Sequence, residues 1–412
     1  MNNKKVVIIT NVFIPEPQVS ARLMADLAES MSERYDVTVL RPYPTRPMGF
    51  KVSEFDTLKL PYEVVTLDSY TCPQSVLIGR FRESISMGKA CLRYLKEHRD
   101  ELLFVYNAPW HLFGRKMVAK FCKKNQISNI TPVQDIYPES LLSKLPKNRL
   151  LQRVVTSLLM PYDMATLHNA DLVHTISNGM RDYLAEHRGL DKSRFVVVRN
   201  WQDEFEFLAY REAHSYEREH PFTFMFMGNV GALAGLEVVI EAFVKAKVKD
   251  ARLVIAGSGS AREALQQQAE MYKELNIQFW DVPFGEVPAT QAKSDVMLLP
   301  VKRGFARSSI PSKLPAYFFS AKPVLASVDS DSDSALCIRE AGAGWVCEPE
   351  NVEALAAAMH ACADIDRHTL AAMGEAGFRY AINDFSRTKN LKKLVDACEK
   401  VIKNNQRNGT EE

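Results

Sequence analysis

A glycine turn in the second half of the chain could hold a phosphate group. The turn Gly228-Asn229-Val230-Gly231 directly follows an apolar run typical of a buried strand and precedes a stretch of helical period. Glycine lets backbone amides approach a phosphate closely, and the start of a helix favours negative charge. An ordinary strand-to-helix turn would use the same residues. Its position at the opening of the second half favours a phosphate-binding turn.

A lysine farther along the chain points to the same chemistry. Ser312 is typical of a helix N-cap, which would place Lys313 in the first helical turn. A cation there opposes the helix dipole, so it indicates an anion to be bound. Arg303 and Arg307 lie just upstream and could complete a diphosphate site. The alternative is three solvated charges on a surface loop.

Two carboxylates and a polar segment in the first half are candidates for acid–base or positioning work. Asp135 and Glu139 follow a predicted strand and could accept a proton from a substrate hydroxyl or orient a substrate. A helix N-cap role for Asp135 is the alternative. Ser20 and Arg22 close a loop that starts at residue 11, and we expect them at the same edge of the predicted sheet.

Several functional classes lack their motifs. The sequence contains no HExxH, no GxSxG and no P-loop, which argues against zinc peptidases, serine hydrolases and P-loop kinases. The seven cysteines form no CxxC pair and no Cys/His ligand set. Their odd, scattered number predicts free thiols in a reducing compartment, and the spacing indicates no metal site.

Charge and hydropathy predict a cytoplasmic chain that is attached at most peripherally to a membrane. No run of eighteen apolar residues is present, and Asn11 and Pro15 interrupt the apolar start where a signal peptide would continue. Residues 1–200 carry 28 Lys and Arg against 20 Asp and Glu, with most of the excess in 101–160. This excess predicts attraction to anionic lipid or polyphosphate. Its alternative is a solvated charge excess without function.

The element pattern predicts two doubly wound parallel sheets of the α/β class. Apolar runs rich in Val and Ile alternate with helical stretches, and 412 residues exceed what one core usually supports. We predict domains at 1–205 and 206–385, a helix at 386–403 that crosses back to the first domain, and a loose tail at 404–412. Such sheets bind ligands at the carboxyl ends of their strands.

Five motifs in order resemble glycosyltransferase family 4, in the branch that builds bacterial capsule, O-antigen and exopolysaccharide units. The resemblance extends from about residue 5 to residue 400. The motifs are Val133-Gln134-Asp135-Ile136-Tyr137-Pro138-Glu139, Ser177-Asn178-Gly179-Met180, Asn200-Trp201, Gly228-Asn229-Val230-Gly231 with Gly235-Leu236-Glu237, and Pro311-Ser312-Lys313-Leu314 to Lys322-Pro323-Val324.

The resemblance implies a GT-B fold, a retaining mechanism without a required metal, and a nucleotide-sugar donor that we expect to be UDP-linked. It also implies a polyprenyl-diphosphate-linked acceptor at the inner face of the plasma membrane, next to acceptor-side residues Ser20, Arg22 and Glu139. Asp135 would lie near the reacting sugar, while Lys313 and Arg307 would neutralise the donor diphosphate. The remaining donor contacts would come from Gly228, Asn229, Gly231, Phe284, Val287, Ser309, Pro311 and Ser312.

The sequence departs from the family pattern at the positions that usually hold the ribose. Ser308 and Ala316 stand where many members have a Glu-x7-Glu pair, and Ala234 replaces a frequent lysine. Candidate replacement acids are Asp329, Asp331 and Glu340. These departures leave two other readings: a catalytically lapsed binding or scaffold protein, and a sugar-nucleotide 2-epimerase on the same architecture.

Overall fold

The computed structural model describes residues 4–46, 59–72, 76–110, 112–142, 148–214, 221–283, 285–304 and 311–408, with the side chains of 407 and 408 left out. The chain forms two compact units. The first comprises Met1–Asn200 and Asn390–Glu412, and the second comprises Trp201–Lys389.

The first unit is built on a parallel sheet whose strands follow the apolar runs of the sequence. Its strands are β1 (Lys5–Thr10), β2 (Asp36–Arg41), β3 (Glu63–Thr66), β4 (Leu102–Ala108), β5 (Ser128–Val133), β6 (Leu172–Thr175) and β7 (Phe195–Val197). They are ordered β3-β2-β1-β4-β5-β6-β7. The central strand β1 is fully buried from Val6 to Ile9, because helices cover both faces of a parallel sheet.

The helices of the first unit connect these strands. They are α1 (Val19–Ser32), α2 (Leu77–Glu97), α3 (Phe113–Lys124), α4 (Glu139–Leu142), α5 (Arg149–His168) and α6 (Asn178–Arg188). Asn148 caps α5 and Ser177 caps α6, each by accepting a backbone N–H in the first turn. Gly189 ends α6 in the left-handed conformation that favours glycine.

The second unit repeats this plan with six strands. These are β8 (Phe222–Met227), β9 (Ala251–Ala256), β10 (Ile277–Trp280), β11 (Val296–Pro300), β12 (Val324–Ser327) and β13 (Gly344–Cys347). Their order is β10-β9-β8-β11-β12-β13, and every pair is parallel. The helices are α7 (Phe205–Ala213), α8 (Leu236–Ala246), α9 (Arg262–Ala269), α10 (Val287–Ala292), α11 (Lys313–Phe319), α12 (Asp333–Ala341), α13 (Val352–Ala363) and α14 (Arg367–Asp384). Helix α15 (Arg387–Asn408) follows them and lies mostly in the first unit, which resumes at Asn390.

The strand order reverses beside β1 in the first sheet and beside β8 in the second. β1 lies between β2 and β4, and β8 lies between β9 and β11. At such a point the loops leave the sheet on opposite sides and open a crevice at the carboxyl ends. The two parallel sheets confirm the predicted α/β class, and the turn after β8 is where the sequence predicts phosphate binding.

The last helix, α15, completes the core of the first unit although the chain reaches it through the second. Leu394, Cys398 and Ile402 are at most 2% exposed. The Arg34 guanidinium on the loop after α1 pairs with the Glu399 carboxylate. The first unit therefore consists of two segments that are distant in the sequence.

All seven cysteines are free, as predicted, and six of them are buried. Burial raises the pKa of the Cys91, Cys122 and Cys398 thiols, so these side chains behave as small apolar core residues. Among the described residues, no helix combines the length and hydropathy that crossing a bilayer would require.

Candidate functional site

The turn after β8 packs directly against the turn after β9. Gly228 has a φ of 144° and Gly257 a φ of 116°. A Cβ added to Gly257 would lie 2.2 Å from the Gly228 carbonyl oxygen, and one added to Gly228 would lie 2.3 Å from the Lys313 Cε. Gly257 therefore requires glycine for conformation and for space, whereas Gly228 requires it for conformation. The structure thus brings together the two predicted phosphate-binding segments.

Lys313 lies along this turn without a protein anion to balance it. Its ammonium is 5.4 Å from the centroid of the Phe226 ring. In the described part of the chain, neither a carboxylate nor another hydrogen-bond acceptor contacts the ammonium. Burial lowers the pKa of Lys313, because the surrounding protein removes water that would stabilise the charge. A bound anion would supply the missing partner.

Tyr317 fixes α11, and with it Lys313, against the end of β8. The Tyr317 hydroxyl donates to the Met227 carbonyl oxygen at 2.9 Å and accepts the Met227 N–H at 3.0 Å. Tyr317 is fully buried, and its hydroxyl replaces a strand partner for the residue directly before Gly228. Sequence reasoning missed this residue, because a tyrosine in an apolar helix is equally typical of a core position.

Two of the four amides in the predicted phosphate-binding turn already have partners. The Gly228 N–H donates to the Ala256 carbonyl at 3.0 Å, and the Val230 N–H donates to the Ser258 carbonyl at 2.8 Å. The expectation that all the amides of 228–231 face a phosphate therefore needs correction. The amides of Asn229 and Gly231 are the ones left for a ligand.

The other cations predicted for this site are paired or lie outside the described residues. The Arg303 guanidinium is 3.3 Å from a Glu348 carboxylate oxygen and also donates to the Pro349 carbonyl. Arg307 belongs to 305–310, outside the described residues. Of the three predicted cations, Lys313 is therefore the one that the structure places at the turn.

The remaining donor-side predictions fall on different parts of the second unit. Pro311 and Ser312 directly precede α11, where the Ser312 hydroxyl accepts no helix N–H, contrary to the predicted cap. Val287 begins α10 and packs against the core. Phe284 and Ser309 lie outside the described residues.

The candidate replacement acids have structural contacts of their own. Asp329 is buried and accepts the Gly304 N–H at 2.8 Å. Glu340 accepts a hydrogen bond from the Tyr380 hydroxyl at 3.0 Å. Asp331 is exposed just after β12. No described contact therefore points to a substitute for the missing Glu-x7-Glu carboxylates.

In the first unit, Asp135 is exposed on the loop that joins β5 to α4. Helix α4 begins four residues later, so Asp135 does not occupy its cap position, which was the alternative role. The loop continues through Tyr137 to Glu139, and Arg188 forms hydrogen bonds with both of these residues. Asp135 is therefore presented by a loop that is anchored at its far end.

Arg188 organises that anchor and has almost no exposed surface, at 1%. Its guanidinium donates to the Asp163 carboxylate at 2.8 Å, to both Glu139 oxygens at 2.8 Å and to the Tyr137 carbonyl at 3.0 Å. The Tyr183 hydroxyl adds a hydrogen bond to Glu139 at 3.1 Å. The predicted acceptor-side carboxylate is thus already bound within the protein.

The other two acceptor-side predictions lie at the start of α1. Ser20 is partly exposed in its first turn, and the Arg22 guanidinium lies 3.3 Å from Asp26. Glu16, which sequence reasoning missed, fixes the preceding loop: its carboxylate accepts N–H groups from Phe13, Thr45 and Arg46. No sequence signal distinguished Glu16, because its partners lie on two separate loops.

A cavity of about 460 Å³ lies elsewhere in the second unit. It is lined at the amino ends of the strands by Asp295 and Lys322, and by Phe207 from α7. Gly228 and Lys313 do not line it. We place the candidate site at Lys313, because there the unpaired charge and the glycine turn coincide.

Comparison with known proteins gives a glycosyltransferase model over each of the two units. Residues 20–204 match the Glycosyltransferase Family 4 model, and residues 221–364 match the model named Glycosyl transferases group 1. The probable glycosyltransferase WbjE of Pseudomonas aeruginosa is 28% identical over 248 residues, which cover 58% of this chain and 60% of WbjE. The putative colanic acid biosynthesis glycosyl transferase WcaI of Escherichia coli K12 is 25% identical over 268 residues, or 63% of this chain and 65% of WcaI.

A solved structure shows the same fold. Anabaena HepE, in complex with UDP, superposes with a TM-score of 0.64 at 14% identity, covering 96% of this chain and all of HepE. The sequence matches therefore span less than two thirds of the length of WbjE and WcaI. The superposition on HepE, by contrast, covers nearly all of this chain. The two family matches and the two parallel-sheet units show that this chain carries a Glycosyltransferase Family 4 domain followed by a Glycosyl transferases group 1 domain and has the GT-B fold.

Proposed function

We propose that the chain transfers a sugar, with retention of configuration, from a UDP-sugar to a lipid-linked saccharide in bacterial surface polysaccharide assembly. The observation that carries this proposal is the Lys313 ammonium, which lies against Gly228 and has no anionic partner in the described part of the chain. A nucleotide diphosphate supplies the negative charge that this position lacks. WcaI is named for colanic acid biosynthesis, and HepE binds UDP and UDP-glucose; both support the proposal.

The chemistry places growing negative charge where the second unit can stabilise it. The bond between the sugar C1 and the diphosphate oxygen breaks, and the diphosphate leaves with both electrons. The acceptor hydroxyl forms the new bond to C1 from the same face, and its proton passes to the departing phosphate oxygen. Lys313 and the Asn229 and Gly231 amides stabilise the leaving group, which is typically the largest catalytic contribution. No metal ion is required in this scheme.

Asp135 would orient the acceptor hydroxyl or the sugar. It is exposed on a loop that Arg188 fixes through a hydrogen bond to the Tyr137 carbonyl. Contacts within the protein therefore position this loop before any ligand binds. In this proposal Asp135 forms no covalent intermediate, and the two units contribute separate tasks: charge stabilisation by the second and acceptor placement by the first.

The donor can be identified before any acceptor is available. Thermal unfolding with UDP-, GDP- and dTDP-sugars should show a rise in Tm for the UDP series, since a ligand at about 100 times its Kd stabilises the folded state by about 2.7 kcal/mol. The bound donor is then incubated with a polyprenyl-diphosphate-linked saccharide. Release of UDP only with this acceptor supports the transferase.

Two outcomes would contradict it. Isomerised sugar in the nucleotide pool would indicate a 2-epimerase, and donor binding without turnover on a series of lipid-linked acceptors would indicate a scaffold protein. Extension of the acceptor by one sugar, observed by mass spectrometry, is the positive result that excludes both.

We also propose a peripheral location at the inner face of the plasma membrane. Of the cations in 101–160, Arg115 is buried, at 8% exposure, and cannot meet lipid. Lys120, Lys123, Lys124, Arg149 and Arg153 are exposed. Each well-placed cation contributes about 1 kcal/mol near an anionic surface. The attraction should therefore weaken as salt rises, which co-sedimentation with anionic vesicles would measure.

A further inference from the structure

Exposed apolar side chains are concentrated on two helices of the first unit. Among the described residues, nine large hydrophobic side chains at least 36% exposed lie on α5 or in and directly before α2. They are Val76, Leu77, Ile78, Ile85, Leu150, Leu151, Val154, Leu158 and Met164. The second unit has four, spread over separate segments: Phe205, Leu233, Met271 and Leu336. Single exposed hydrophobic residues are ordinary, whereas a concentration of them marks an interaction surface.

Helix α5 carries apolar residues both among its exposed side chains and among its packed ones. Leu150, Val154 and Leu158 recur every four residues and are 73%, 48% and 64% exposed, so they form one outward stripe. On the inward side, Leu159 and Tyr162 pack in a cluster with the start of α3. A surface helix of a soluble domain normally carries polar residues outward. The outward stripe therefore needs a partner.

Helix α2 carries a second stripe in which apolar and basic residues alternate. Ile78, Arg82, Ile85 and Lys89 are all exposed, and their spacing of four, three and four residues places them on one face. Ile78 is 82% exposed. This outer face therefore presents two hydrophobic side chains and two cations, with no acidic residue between them.

The same aromatic cluster supports both helices. Phe81 of α2 and Phe113 of α3 have ring centroids 5.5 Å apart, and Phe113 and Tyr162 of α5 have centroids 4.7 Å apart. Thus α2 and α5 pack on the same end of α3, and their stripes belong to one region of the first unit.

The charges of this region identify the kind of partner. Arg149 and Arg153 accompany the α5 stripe, and neither has a carboxylate partner among the described residues. The acid of α5, Asp163, is bound to Arg188 on the inward side. Apolar side chains flanked by free cations match the acyl region and headgroups of an anionic bilayer.

We propose that the α2 and α5 stripes insert into the interfacial region of an anionic lipid bilayer, so that membrane binding has an apolar component that salt does not remove. This proposal deepens the proposed function and rests on its lipid-linked acceptor. It differs from attraction by exposed cations alone, because screening at about 1 M salt would abolish such attraction.

The test uses the full chain and vesicles of phosphatidylglycerol mixed with phosphatidylcholine. Binding should fall as NaCl is raised and then level at a salt-resistant fraction. The triple variant Leu150→Gln, Val154→Gln, Leu158→Gln should reduce that fraction more than tenfold. The double variant Arg149→Gln, Arg153→Gln should lose the salt-sensitive part and keep the salt-resistant fraction.

Matched substitutions of exposed hydrophobic residues in the second unit, Met271→Gln and Leu336→Gln, should leave lipid binding unchanged. Unaltered circular dichroism and Tm would show that the triple variant folds. Wild-type binding that vanishes at high salt, or a triple variant that keeps the salt-resistant fraction, would overturn the insertion. So would a wild-type dimer in sedimentation equilibrium that the triple variant dissolves, because the stripe would then bind a second copy of the chain.

Transfer to a water-soluble, short-chain acceptor separates this proposal from the proposed function. If the triple variant transfers sugar to that acceptor at the wild-type rate but loses lipid binding, the insertion is supported independently of the catalytic site. If neither protein transfers sugar, the proposed function fails, while the vesicle measurement still decides whether the stripes bind lipid.

Discussion

Arg188 in the first unit and Lys313 in the second are both cations withdrawn from water, and they differ in what balances them. Arg188 is enclosed by the carboxylates of Asp163 and Glu139 and by the Tyr137 carbonyl. Lys313 has no anion among the described residues and lies on a turn of bare backbone. A buried cation without its counter-ion is costly. The Arg188 site is therefore complete within the protein, and we propose that a ligand completes the Lys313 site.

This difference separates structural charge from functional charge more reliably than residue type does. Perturbed ionisable groups gather at functional sites, but structural ion pairs also perturb them. Burial raises the pKa of Asp163 even though it pairs with Arg188, and burial lowers the pKa of Lys313. We therefore assign Lys313, and not Asp163 or Arg188, to substrate binding from its lack of a partner among the described residues rather than from its pKa shift.

The largest effect is expected from removing the balanced cation. Arg188→Met leaves the largely buried Asp163 without its Arg188 partner and Glu139 with the Tyr183 hydroxyl alone, which should lower the free energy of unfolding of the first unit by about 3–5 kcal/mol. Native-state hydrogen exchange of the β5 and β6 amides would measure the loss. Arg181→Met removes an ion pair with Asp182 on the surface of the same helix and should cost less than about 1 kcal/mol. Equal losses in the two variants would show that the Arg188 network is not structural.

Removing Lys313 should lower turnover rather than stability, in contrast to removing Arg188. Lys313→Ala should reduce turnover about a hundredfold, or about 3 kcal/mol in the activation free energy. It should change the Tm of the unliganded protein only slightly, because among the described residues the ammonium loses its contact with the Phe226 ring but no ion pair or hydrogen bond. Lys293→Ala, at an exposed lysine of the same unit, serves as the control. Unchanged turnover in Lys313→Ala would remove its assignment to the diphosphate.

His174 extends the comparison to a buried group that is satisfied while neutral. Its Nε2 lies 2.9 Å from the Val198 carbonyl oxygen and its Nδ1 lies 2.8 Å from the Tyr106 hydroxyl. Since a carbonyl only accepts, Nε2 donates; in the neutral ring, Nδ1 then accepts from the Tyr106 hydroxyl. Burial lowers the pKa of His174 from 6.5 to about 4.

The sign of the pH dependence follows from that shift. Above the unfolded-state pKa both states are neutral, and below it the unfolded state binds a proton that the folded state resists. Stability should therefore fall as the pH drops through the interval from 6.5 to about 4, with about 2 kcal/mol lost at about pH 5. The free energy of unfolding of the wild type and of His174→Gln, measured at several pH values in this interval, would show this loss. Parallel pH curves for the two proteins would contradict the assignment.

The smallest effect is expected at Arg303. This side chain was predicted to join Lys313 at the diphosphate, but its guanidinium is paired with Glu348. Arg303→Ala should therefore change turnover less than about threefold, in line with the modest energy of an exposed ion pair. Steady-state kinetics of Arg303→Ala and Lys313→Ala, measured under the same conditions, would test this prediction. A loss as large as that of Lys313→Ala would place Arg303 at the donor and weaken the rule that paired cations are structural.

The sequence predicts the inner strands of both sheets and the meeting of the 228–231 turn with Lys313, but it does not predict the short edge strands β3, β7 and β13. Strands such as β1 and β8 are continuous apolar runs between helices, and a glycine turn after a strand has few alternatives. The helix α2 was not predicted, because its buried face contains Gly79, Glu83, Ser84 and Gly88 in place of large apolar residues. That pattern allows close packing, with Gly88 against Gly114 of α3, but it gives no hydrophobic period.

Charge pairing could not be predicted for a similar reason. Glu139 and Arg188 are 49 residues apart, and Arg303 and Glu348 are 45 apart, so their contacts depend on the order of strands and helices. Local spacing identifies a carboxylate or a cation near a strand end. Only the fold shows whether another part of the chain has already neutralised it. The acceptor-side role of Glu139 and the donor-side role of Arg303 were inferred without that information.

The placement of α15 has a consequence for how the protein is made on the ribosome. Domains generally fold in order as they are synthesised, amino-terminal domain first. Here the first sheet lacks Leu394, Cys398 and Ile402 until the second unit has been translated in full. The second unit, Trp201–Lys389, has all its residues earlier. During synthesis, the part of the protein translated first is therefore the last to close its core.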